Sequence, residues 1–136
     1  MASTYLEHTL SAAGTNGNKK ATFSAWMKRA KNGAEHVFYT ARQDSNNFMR
    51  FRFNSDQINV TSKTSGTNYY ATTSAVYRDP TAFYHVVVTY DTTNATEANR
   101  IRIYVNGVEQ SKSASNYPSQ DATLFMIASG QPQRVG

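Results

Sequence analysis

The clearest pattern in the chain is a long apolar run that is followed by strict alternation of apolar and polar positions. Phe83–Asp91 (FYHVVVTYD) is rich in β-branched residues, which predicts a central strand buried on both faces. Arg100–Val105 then alternates, with its isoleucine and valine residues on one side, as in a half-buried strand. Asn106-Gly107 follows at once and tolerates positive φ at both turn positions. The pattern therefore predicts a two-residue type I′ hairpin with Val108–Lys112 as the partner strand.

Shorter alternating or apolar segments occur along the rest of the chain. In Phe48–Phe53 (FMRFRF), Met49, Phe51 and Phe53 are predicted to point inward, with the two arginines between them outward. Further strands are predicted at Ser3–Leu10 (an edge strand), Lys19–Lys28, Glu35–Ala41, Gln57–Ser62, Asn68–Thr73 and Thr123–Ala128. Polar stretches such as Thr92–Asn99 and Ser113–Asp121 are predicted loops, and the tail Ser129–Gly136 is polar.

These elements predict the fold class. The chain has 136 residues, many of them Tyr, Phe, Thr, Ser and Asn, and it contains no helical pattern longer than two turns. About ten short strands at intervals of roughly 8–12 residues are typical of an all-β sandwich. We therefore predict one domain over residues 1–136, built as a two-sheet antiparallel jelly-roll sandwich.

Composition narrows the function classes. There is no cysteine, which excludes disulfides, thiolate metal sites and thiol nucleophiles and fits a reducing compartment or a particle assembled there. The first residues carry no signal-peptide pattern, and no apolar run approaches the roughly 20 residues of a membrane helix. The formal charge of +5 favours acidic partners. No helix motif or aromatic platform for single strands is recognisable, so nucleic acid is not a predicted ligand.

Three motifs carry a resemblance to a family. They are FSAWMK at Phe23–Lys28, FYHVVVTYD at Phe83–Asp91 and IRIYVNGV at Ile101–Val108. They resemble the F-x-x-W-x-K, W-Y-H-V-x-V-T-Y-D and I-x-I-Y-V-N-G segments of laminin G-like domains, although Phe83 stands where Trp is more usual. The resemblance covers nearly the whole chain and implies a jelly roll of the concanavalin A-like lectin/glucanase type.

Two further segments resemble a particular version of this domain. MASTYL at the start of the chain and YPSQ at Tyr117–Gln120 are similar to segments in structural proteins of tailed phages, especially marine ones. The resemblance implies a virion component, in capsid decoration or in a tail or fibre, that is assembled in the host cytoplasm. Its expected partners are other virion proteins or further copies of itself, and host-surface polysaccharide.

The family pattern also departs from this chain at one place. Family members usually continue past the position of Arg134-Val135-Gly136 into a further strand with an F-D-G-x-L signature. The resemblance therefore implies that the sequence is a fragment or that another segment or chain supplies the closing strand. An uncovered strand edge promotes aggregation, so we expect this edge to be covered.

The sequence argues against catalysis. The β-glucanases of this fold resemble one another in an E-x-D-x-x-E strand, which places two carboxylates for acid–base work on a glycosidic bond. None of Glu7, Glu35, Glu97 and Glu109 has an Asp two residues on or a Glu five residues on. A Ser-His-Asp triad stays open because its members need not be close in sequence, but no nucleophile-elbow pattern occurs. His85 is predicted to be a core or interface residue rather than a base.

A metal and a sugar are the candidate ligands. Some laminin G-like domains bind Ca²⁺ through an Asp and loop carbonyls, and five aspartates lie in or beside turns, namely Asp44, Asp56, Asp79, Asp91 and Asp121. The alternative is that they cap turns, and no ligand set is assigned. Candidate glycan-binding residues lie in or near loops: Tyr69, Tyr70, Tyr77, Asn116 and Tyr117. The alternative is that these tyrosines cover a small core with wet hydroxyl groups. Trp26 is predicted to lie in the core.

Basic residues define a last candidate surface. Arg50 and Arg52 are predicted to point outward from one strand, as are Arg100 and Arg102 from another. If the strands are neighbours, the four side chains form a cationic ladder for phosphates, acidic glycans or an acidic protein. The alternative is a solvated sheet face. The leading function hypothesis is a non-catalytic virion component that makes subunit contacts and binds glycans. The alternatives are a free or cell-surface lectin and a divergent glycosidase.

Overall fold

The computed structural model describes residues 4–14 and 17–136, and these form strands joined by turns. The strands of the described residues are β1 Leu6–Thr9, β2 Lys20–Lys28, β3 His36–Arg42, β4 Phe48–Asn54, β5 Gln57–Thr64, β6 Thr67–Thr73, β7 Phe83–Asp91, β8 Ile101–Val105, β9 Val108–Glu109, β10 Lys112–Asn116 and β11 Pro132–Val135. Two single 3₁₀ turns cover Glu97–Asn99 and Phe125–Ile127. Part of the predicted first strand, Ser3, lies outside the described residues.

The strands form two antiparallel sheets. One has seven strands in the order β1-β11-β3-β4-β5-β6-β10, and the other has four in the order β2-β7-β8-β9. Every pair of neighbours within the sheets is antiparallel. The arrangement confirms the predicted all-β, two-sheet sandwich, with β1 as an edge strand.

The core lies between the two sheets and is built by period-two alternation. On β4, Met49, Phe51 and Phe53 are buried while the residues between them are half-exposed, as predicted. The Phe51 ring lies 5.5 Å from Phe23 of the opposite sheet and 6.2 Å from Tyr90, measured between ring centres. Burying such a side chain contributes about 1.5–3 kcal/mol, so these aromatic contacts join the layers.

The central strand of the small sheet is less buried than its sequence predicts. On β7, Val86, Val88 and Tyr90 are buried, the residues between them are only half-buried, and Phe83 is 60 % exposed. The prediction of burial on both faces is wrong because a two-layer sandwich has one core. The other face of each sheet meets solvent, whatever its hydropathy.

The predicted hairpin is confirmed at its turn and divided in its second strand. Asn106 and Gly107 have φ values of 51° and 81°, as a type I′ turn requires. The Asn106 carboxamide also accepts a hydrogen bond from the His85 backbone N–H at 2.9 Å. After two residues of β9 the chain crosses to the seven-stranded sheet. There β10 pairs with β6, so part of the predicted Ser113–Asp121 loop is a strand.

The apolar segment Thr123–Ala128 was predicted to be a buried strand, and this is wrong. It contains the Phe125–Ile127 3₁₀ turn, which packs against β3 and β4. Leu124 is buried, and its backbone N–H donates to the Asn18 carbonyl at 2.6 Å. A short apolar run requires burial but does not select a strand, because a capping segment buries the same side chains.

The polar tail forms β11, and an open edge remains in the other sheet. β11 pairs with β1 on one side and with β3 on the other.

Among the described residues, β2 pairs with β7 alone, so its outer edge carries no strand. Beside this edge lies a mainly apolar cleft of about 300 Å³ between the sheets, lined by Phe23, Met27 and Val135 among others. Leu6 nearby on β1 is 79 % exposed. We call β2, this cleft and Leu6 the open edge.

A buried ion pair anchors the loops at one end of the sandwich. Arg29 follows β2, and its guanidinium lies 2.7 Å from the carboxylate of Asp56 in the β4–β5 turn. The Gly33 backbone N–H donates to the same carboxylate at 2.7 Å, and Arg78 lies 3.0 Å from its second oxygen. Arg29 also donates to the Tyr77 carbonyl. The β2–β3 and β6–β7 loops are thereby both tied to the β4–β5 turn.

Candidate functional site

The most exposed large aromatic side chain of the outer sheet faces belongs to Trp26 on β2. Strand alternation places Phe23, Ala25 and Met27 toward the core and the intervening residues outside, and Trp26 is 68 % exposed. The prediction that Trp26 lies in the core is wrong. The signal was in the sequence, because Trp26 has the same parity as Lys28, whereas the motif FSAWMK places its other apolar residues on the opposite parity.

Trp26 is part of a stacked pair on this outer face. Trp26 lies opposite His85 of β7 in the strand register, and the two rings stack at 4.9 Å with an interplanar angle of 23°. Ser24 Oγ lies 2.9 Å from His85 Nε2 and fixes the imidazole. Phe83 is also exposed, and the Lys28 ammonium lies 5.6 Å from its ring centre. We call Trp26, His85 and Phe83 the aromatic platform.

A polar pocket lies on the same face of the small sheet. It has a volume of about 440 Å³ and is lined by Lys20, Ala21, Thr22, Thr89, Tyr90, Asp91, Asn94, Asn99, Arg102 and Tyr104. This volume is in the range of ligand sites, which is roughly 300–1,000 Å³. Thr22 and Trp26 are four residues apart on one strand, which corresponds to about 13 Å. The platform and the polar pocket are therefore parts of one continuous surface.

The Ser24–His85 pair does not extend to a catalytic triad. A Ser-His-Asp triad needs a carboxylate that orients the imidazole. In the part of the chain that the structure describes, no carboxylate hydrogen-bonds to the His85 ring, which contacts Ser24 and Trp26. The pair lies on an open sheet face and is suited to holding the platform rigid.

The predicted glycan-binding residues do not form one surface. Tyr70 and Asn116 lie opposite each other on β6 and β10, on the outer face of the seven-stranded sheet. Tyr69 lies on the other face of β6 and lines a small pocket with Leu124. Tyr117 packs against the edge of the core. Binding by these residues stays a prediction.

The predicted surface position of Tyr77 is wrong. Tyr77 is 7 % exposed and belongs to the core, with its ring 5.3 Å from that of Tyr84. Its hydroxyl donates to the Gln110 side chain at 2.9 Å. Burial raises the pKa of this hydroxyl. Proximity to a loop in sequence did not mean exposure, because the loop folds back over the sandwich end.

The predicted cationic ladder of four arginines is also wrong. Arg50 and Arg52 lie on β4 of the seven-stranded sheet, whereas Arg102 lies on β8 of the other sheet. Arg100 is buried, and its guanidinium donates to the carbonyls of Asn94, Ala95 and Pro118 at 2.9, 3.1 and 2.8 Å. Its several donors satisfy loop carbonyls that would otherwise be buried without partners. Arg100 thus supports a loop and does not face a partner.

Three of the five turn aspartates accept hydrogen bonds within their own turns, whereas Asp56 and Asp121 bind residues that are distant in sequence. Asp44 accepts from the backbone N–H groups of Asn46 and Asn47, Asp79 from Thr81, and Asp91 from Thr93. The Asn46 backbone N–H, the Thr81 side chain and the Thr93 side chain are the main causes that lower the pKa of Asp44, Asp79 and Asp91, respectively. Asp121 pairs with Lys19 at 3.0 Å. Across residues 4–14 and 17–136, no three His, Asp or Glu side chains form a metal-binding cluster.

Comparison with known families identifies the fold family. A model of laminin G-like domains, described as "Concanavalin A-like lectin/glucanases superfamily", matches residues 2–135. The chain belongs to this superfamily. This confirms the family inferred from the three sequence motifs. No curated protein matches the chain in a sequence comparison.

Solved structures with the same fold are distant in sequence. A native heptameric SAP-like pentraxin from Limulus polyphemus superposes with a TM-score of 0.61 at 17 % identity, over 97 % of this chain and 57 % of the pentraxin chain. Mouse laminin alpha1 chain, domains LG4-5, superposes with a TM-score of 0.63 at 11 % identity, over 95 % of this chain and 31 % of the laminin chain. This superfamily chain thus spans less than two thirds of either protein. Among its described residues there is no helix long and apolar enough to cross a membrane.

Proposed function

We propose that this chain is a non-catalytic binding module that holds a glycan on the outer face of its four-stranded sheet. The observation that carries the proposal is the rigid, exposed stack of Trp26 on His85 beside the polar pocket. Sugar sites combine an apolar face that stacks on the ring with a few hydrogen-bonding groups that fix its orientation. Trp26 and Phe83 supply the apolar face. Arg102, Tyr104 and Asn99 line the polar pocket and supply the hydrogen-bonding groups.

The preformed geometry supports a binding role for the platform. Trp has few rotatable bonds, and Trp26 is already held by its stack with His85. His85 is in turn held by Ser24 and by the Asn106 side chain. Binding costs less side-chain entropy when the protein surface is already ordered than when the ligand must order it. The platform is therefore suited to a weak, flat ligand such as a sugar ring.

We further propose that the module works in a virion, in capsid decoration or in a tail or fibre. The support for this setting is the sequence resemblance of its first residues and of Tyr117–Gln120 to phage structural proteins. Many copies on one particle would convert weak sugar binding into avid attachment to a host-surface polysaccharide. A free or cell-surface lectin would use the same face without this gain.

The carboxylates favour binding over hydrolysis. Glu7 pairs with Arg134, Glu35 with Arg52 and Glu109 with Arg102, so these three glutamates lie in separate ion pairs. Glycoside hydrolysis needs two carboxyl groups about 5–10 Å apart across the sugar bond. This distribution supports the non-catalytic proposal over a divergent glycosidase.

The test is binding of the full chain to a panel of neutral microbial polysaccharides, with Ca²⁺ and with chelator, at low and high salt. We expect saturable binding to a few members that survives high salt, and a loss of at least about tenfold in Trp26→Ala. Tyr5→Ala is the matched control, since Tyr5 is an exposed aromatic residue outside the platform. Equal losses in both variants, or no binding at all, would contradict the glycan proposal.

The open edge supports a second role, a structural contact with another chain. β2 is nine residues long, and its outer edge, the adjoining cleft and Leu6 are uncovered by the described residues. A long free edge beside an apolar cleft is a template for strand addition. We propose that a strand of a neighbouring virion subunit or of a second copy pairs along β2.

Hydrogen exchange tests this contact. No strand of the described residues pairs with the outer edge of β2, so the outward-facing amides between residues 21 and 28 should exchange quickly in the dilute chain, whereas β7 amides should be protected. Raising the protein concentration, or adding the assembled particle, should slow exchange along β2 alone. Protection of all β2 amides in a dilute monomer would contradict the proposal, as would unchanged exchange in the particle.

A further inference from the structure

A second pocket lies on the opposite side of the sandwich, at the β3–β4 hairpin. It has a volume of about 170 Å³ and is lined by Thr40, Arg42, Ser45, Phe48 and Arg50. Its members come from neighbouring strands, since Thr40 lies opposite Arg50 and Arg42 opposite Phe48 in the register. We call these five residues the arginine pocket. It is too small for a drug-sized ligand, so it suits a single chemical group.

Positive charge around the arginine pocket exceeds the available negative charge. Glu35 is shared by two guanidinium groups, at 2.9 Å from Arg52 and 3.5 Å from Arg50. No ion pair to Arg42 occurs within the described ranges. The remaining nearby carboxylate, Asp44, accepts hydrogen bonds from its own turn. A further cation, Lys63, donates to the Ser45 carbonyl at the rim.

Arg50 has hydrogen-bonding capacity that its neighbours leave unused. Its guanidinium lies 5.7 Å from the Phe48 ring centre, which holds the side chain across the pocket. Its Nε is buried and has no hydrogen-bond partner within the described structure. Burial, and then the Arg52 charge, lower the pKa of Arg50. An anion that accepted from the Arg50 guanidinium would relieve the repulsion between like charges.

A row of polar side chains leads away from the pocket across the outer face of the sheet. The register aligns Arg50 of β4 with Thr61 of β5, Tyr70 of β6 and Asn116 of β10. Neighbouring strands lie about 4.8 Å apart, so the row extends about 14 Å. Thr61 is buried and its hydroxyl donates to Asn59, so Tyr70 and Asn116 are the members of this row that a ligand can reach. Their hydroxyl and amide groups suit the hydroxyl groups of a sugar polymer, and we call these two residues the polar row.

We propose that the arginine pocket binds one anionic group of an acidic polysaccharide, with Arg42 and Arg50 as its ligands, and that the polar row contacts the adjoining sugars. The anionic group is a sulfate or carboxylate, both of which accept paired hydrogen bonds from guanidinium. This site is separate from the aromatic platform, because the two lie on opposite sheets. It brings together predicted residues of two classes, Arg50 from the basic set and Tyr70 and Asn116 from the glycan set.

The test compares dextran sulfate, polygalacturonate and neutral dextran as ligands for the full chain, at low salt and at about 0.5 M salt. Hydrogen bonds to charged groups contribute about 1.5–3 kcal/mol, which corresponds to roughly tenfold or more in affinity. We therefore expect Arg42→Gln and Arg50→Gln each to weaken polyanion binding at least about tenfold. The acidic polymer that binds more tightly distinguishes sulfate from carboxylate as the preferred group.

The matched control is Arg134→Gln. Arg134 is on the same outer face, two strands from Arg50, and removal of its charge changes the net charge equally. Its guanidinium is already engaged by Glu7, so we expect less than a threefold effect. Arg50→Lys keeps the charge but loses the planar guanidinium group. Its affinity for the polyanion should lie between those of wild type and Arg50→Gln. Unchanged thermal unfolding of each variant shows that the fold is intact.

Three results would overturn the proposal. Equal losses in Arg134→Gln and Arg50→Gln would show a general charge effect with no local site. Tighter binding to polyglutamate or to single-stranded DNA than to both acidic polysaccharides would assign the surface to another polymer. If neither acidic polysaccharide binds, acidic polysaccharides are excluded as the ligand of this pocket. The loss caused by Arg50→Gln should be the same in wild type and in a Trp26→Ala background, so failure at one site is distinguishable from failure at the other.

Discussion

Arg29 Nη1 lies 2.7 Å from Asp56 Oδ1 in a position where the Arg29 side chain has no exposed surface. The pair joins the end of β2 to the β4–β5 turn, and so it links the two sheets outside the apolar core. Asp56 adopts a φ of 67°, a left-handed conformation that Asp tolerates better than most residues. The turn therefore places the carboxylate where Arg29, Gly33 and Arg78 all reach it.

We expect Arg29→Met to destabilise the protein by roughly 3 kcal/mol, because removing one partner leaves the Asp56 carboxylate in a largely buried site. The Tyr77 carbonyl, which accepts from Arg29 at 2.6 Å, also loses its donor. Urea unfolding should show a lower midpoint with an unchanged slope. Arg134→Met removes an arginine of an exposed pair and should leave the midpoint nearly unchanged. Equal shifts in the two variants would contradict this account.

Stability should depend on pH in the acid range through Asp56. The Gly33 backbone N–H, and then Arg29 and Arg78, hold the pKa of this carboxyl well below its ordinary value of 3.8. The unfolded chain therefore binds the proton more readily, so the stabilisation is complete above the ordinary pKa and is lost as pH falls toward the lower folded value.

Urea midpoints measured from pH about 6 to about 2 should decline below pH about 4, and Asp56→Asn should flatten part of this decline. Asp44→Asn is the comparison, since hydrogen bonds also lower the pKa of Asp44, but its carboxylate is exposed and local to one turn. A decline of equal steepness in wild type and Asp56→Asn would show that other groups control the loss of stability at acid pH.

Trp26 is the only tryptophan in the sequence, so intrinsic fluorescence reports directly on the aromatic platform. We expect the emission of an exposed indole that acrylamide quenches readily, because Trp26 is 68 % exposed. A neutral polysaccharide that binds the platform should reduce the quenching, whereas dextran sulfate bound at the arginine pocket should not. Weak quenching in the free dilute chain would place Trp26 in a protected site and contradict the structure.

Gly107→Ala should destabilise the β8–β9 hairpin by about 1 kcal/mol, since φ is +81° and an L-residue is strained there. Nothing lies within 4 Å of the added Cβ, so the cost is conformational and not a clash. Thermal or urea unfolding measures it. Gly107→Asn is the control, because Asn adopts the left-handed conformation more readily than Ala and should lose less stability. A smaller loss in Gly107→Ala than in the control would contradict the turn assignment.

The sequence predicted those elements whose signal is local. Alternation in FMRFRF gave the inward and outward sets of β4, and Asn106-Gly107 gave the turn, because strand period and turn chemistry are properties of adjacent residues. The laminin G-like motifs gave the family. Alternation also predicts Trp26 on the outer face whereas its residue type predicts the core, and the structure follows alternation.

Long-range partners were decided by the tertiary structure alone. Whether Arg50 and Arg102 share a sheet depends on topology, and their strands lie in different layers of the sandwich. Arg100 and Arg102 have the same strand parity, yet Arg100 precedes β8 and turns into a loop whose carbonyls need donors. The polar row likewise depends on the β4–β5 and β5–β6 hairpins and on the long-range pairing of β6 with β10. The local sequence determines which face of each strand is apolar. The order of the strands determines which side chains meet, and only the packing of the whole chain selects that order.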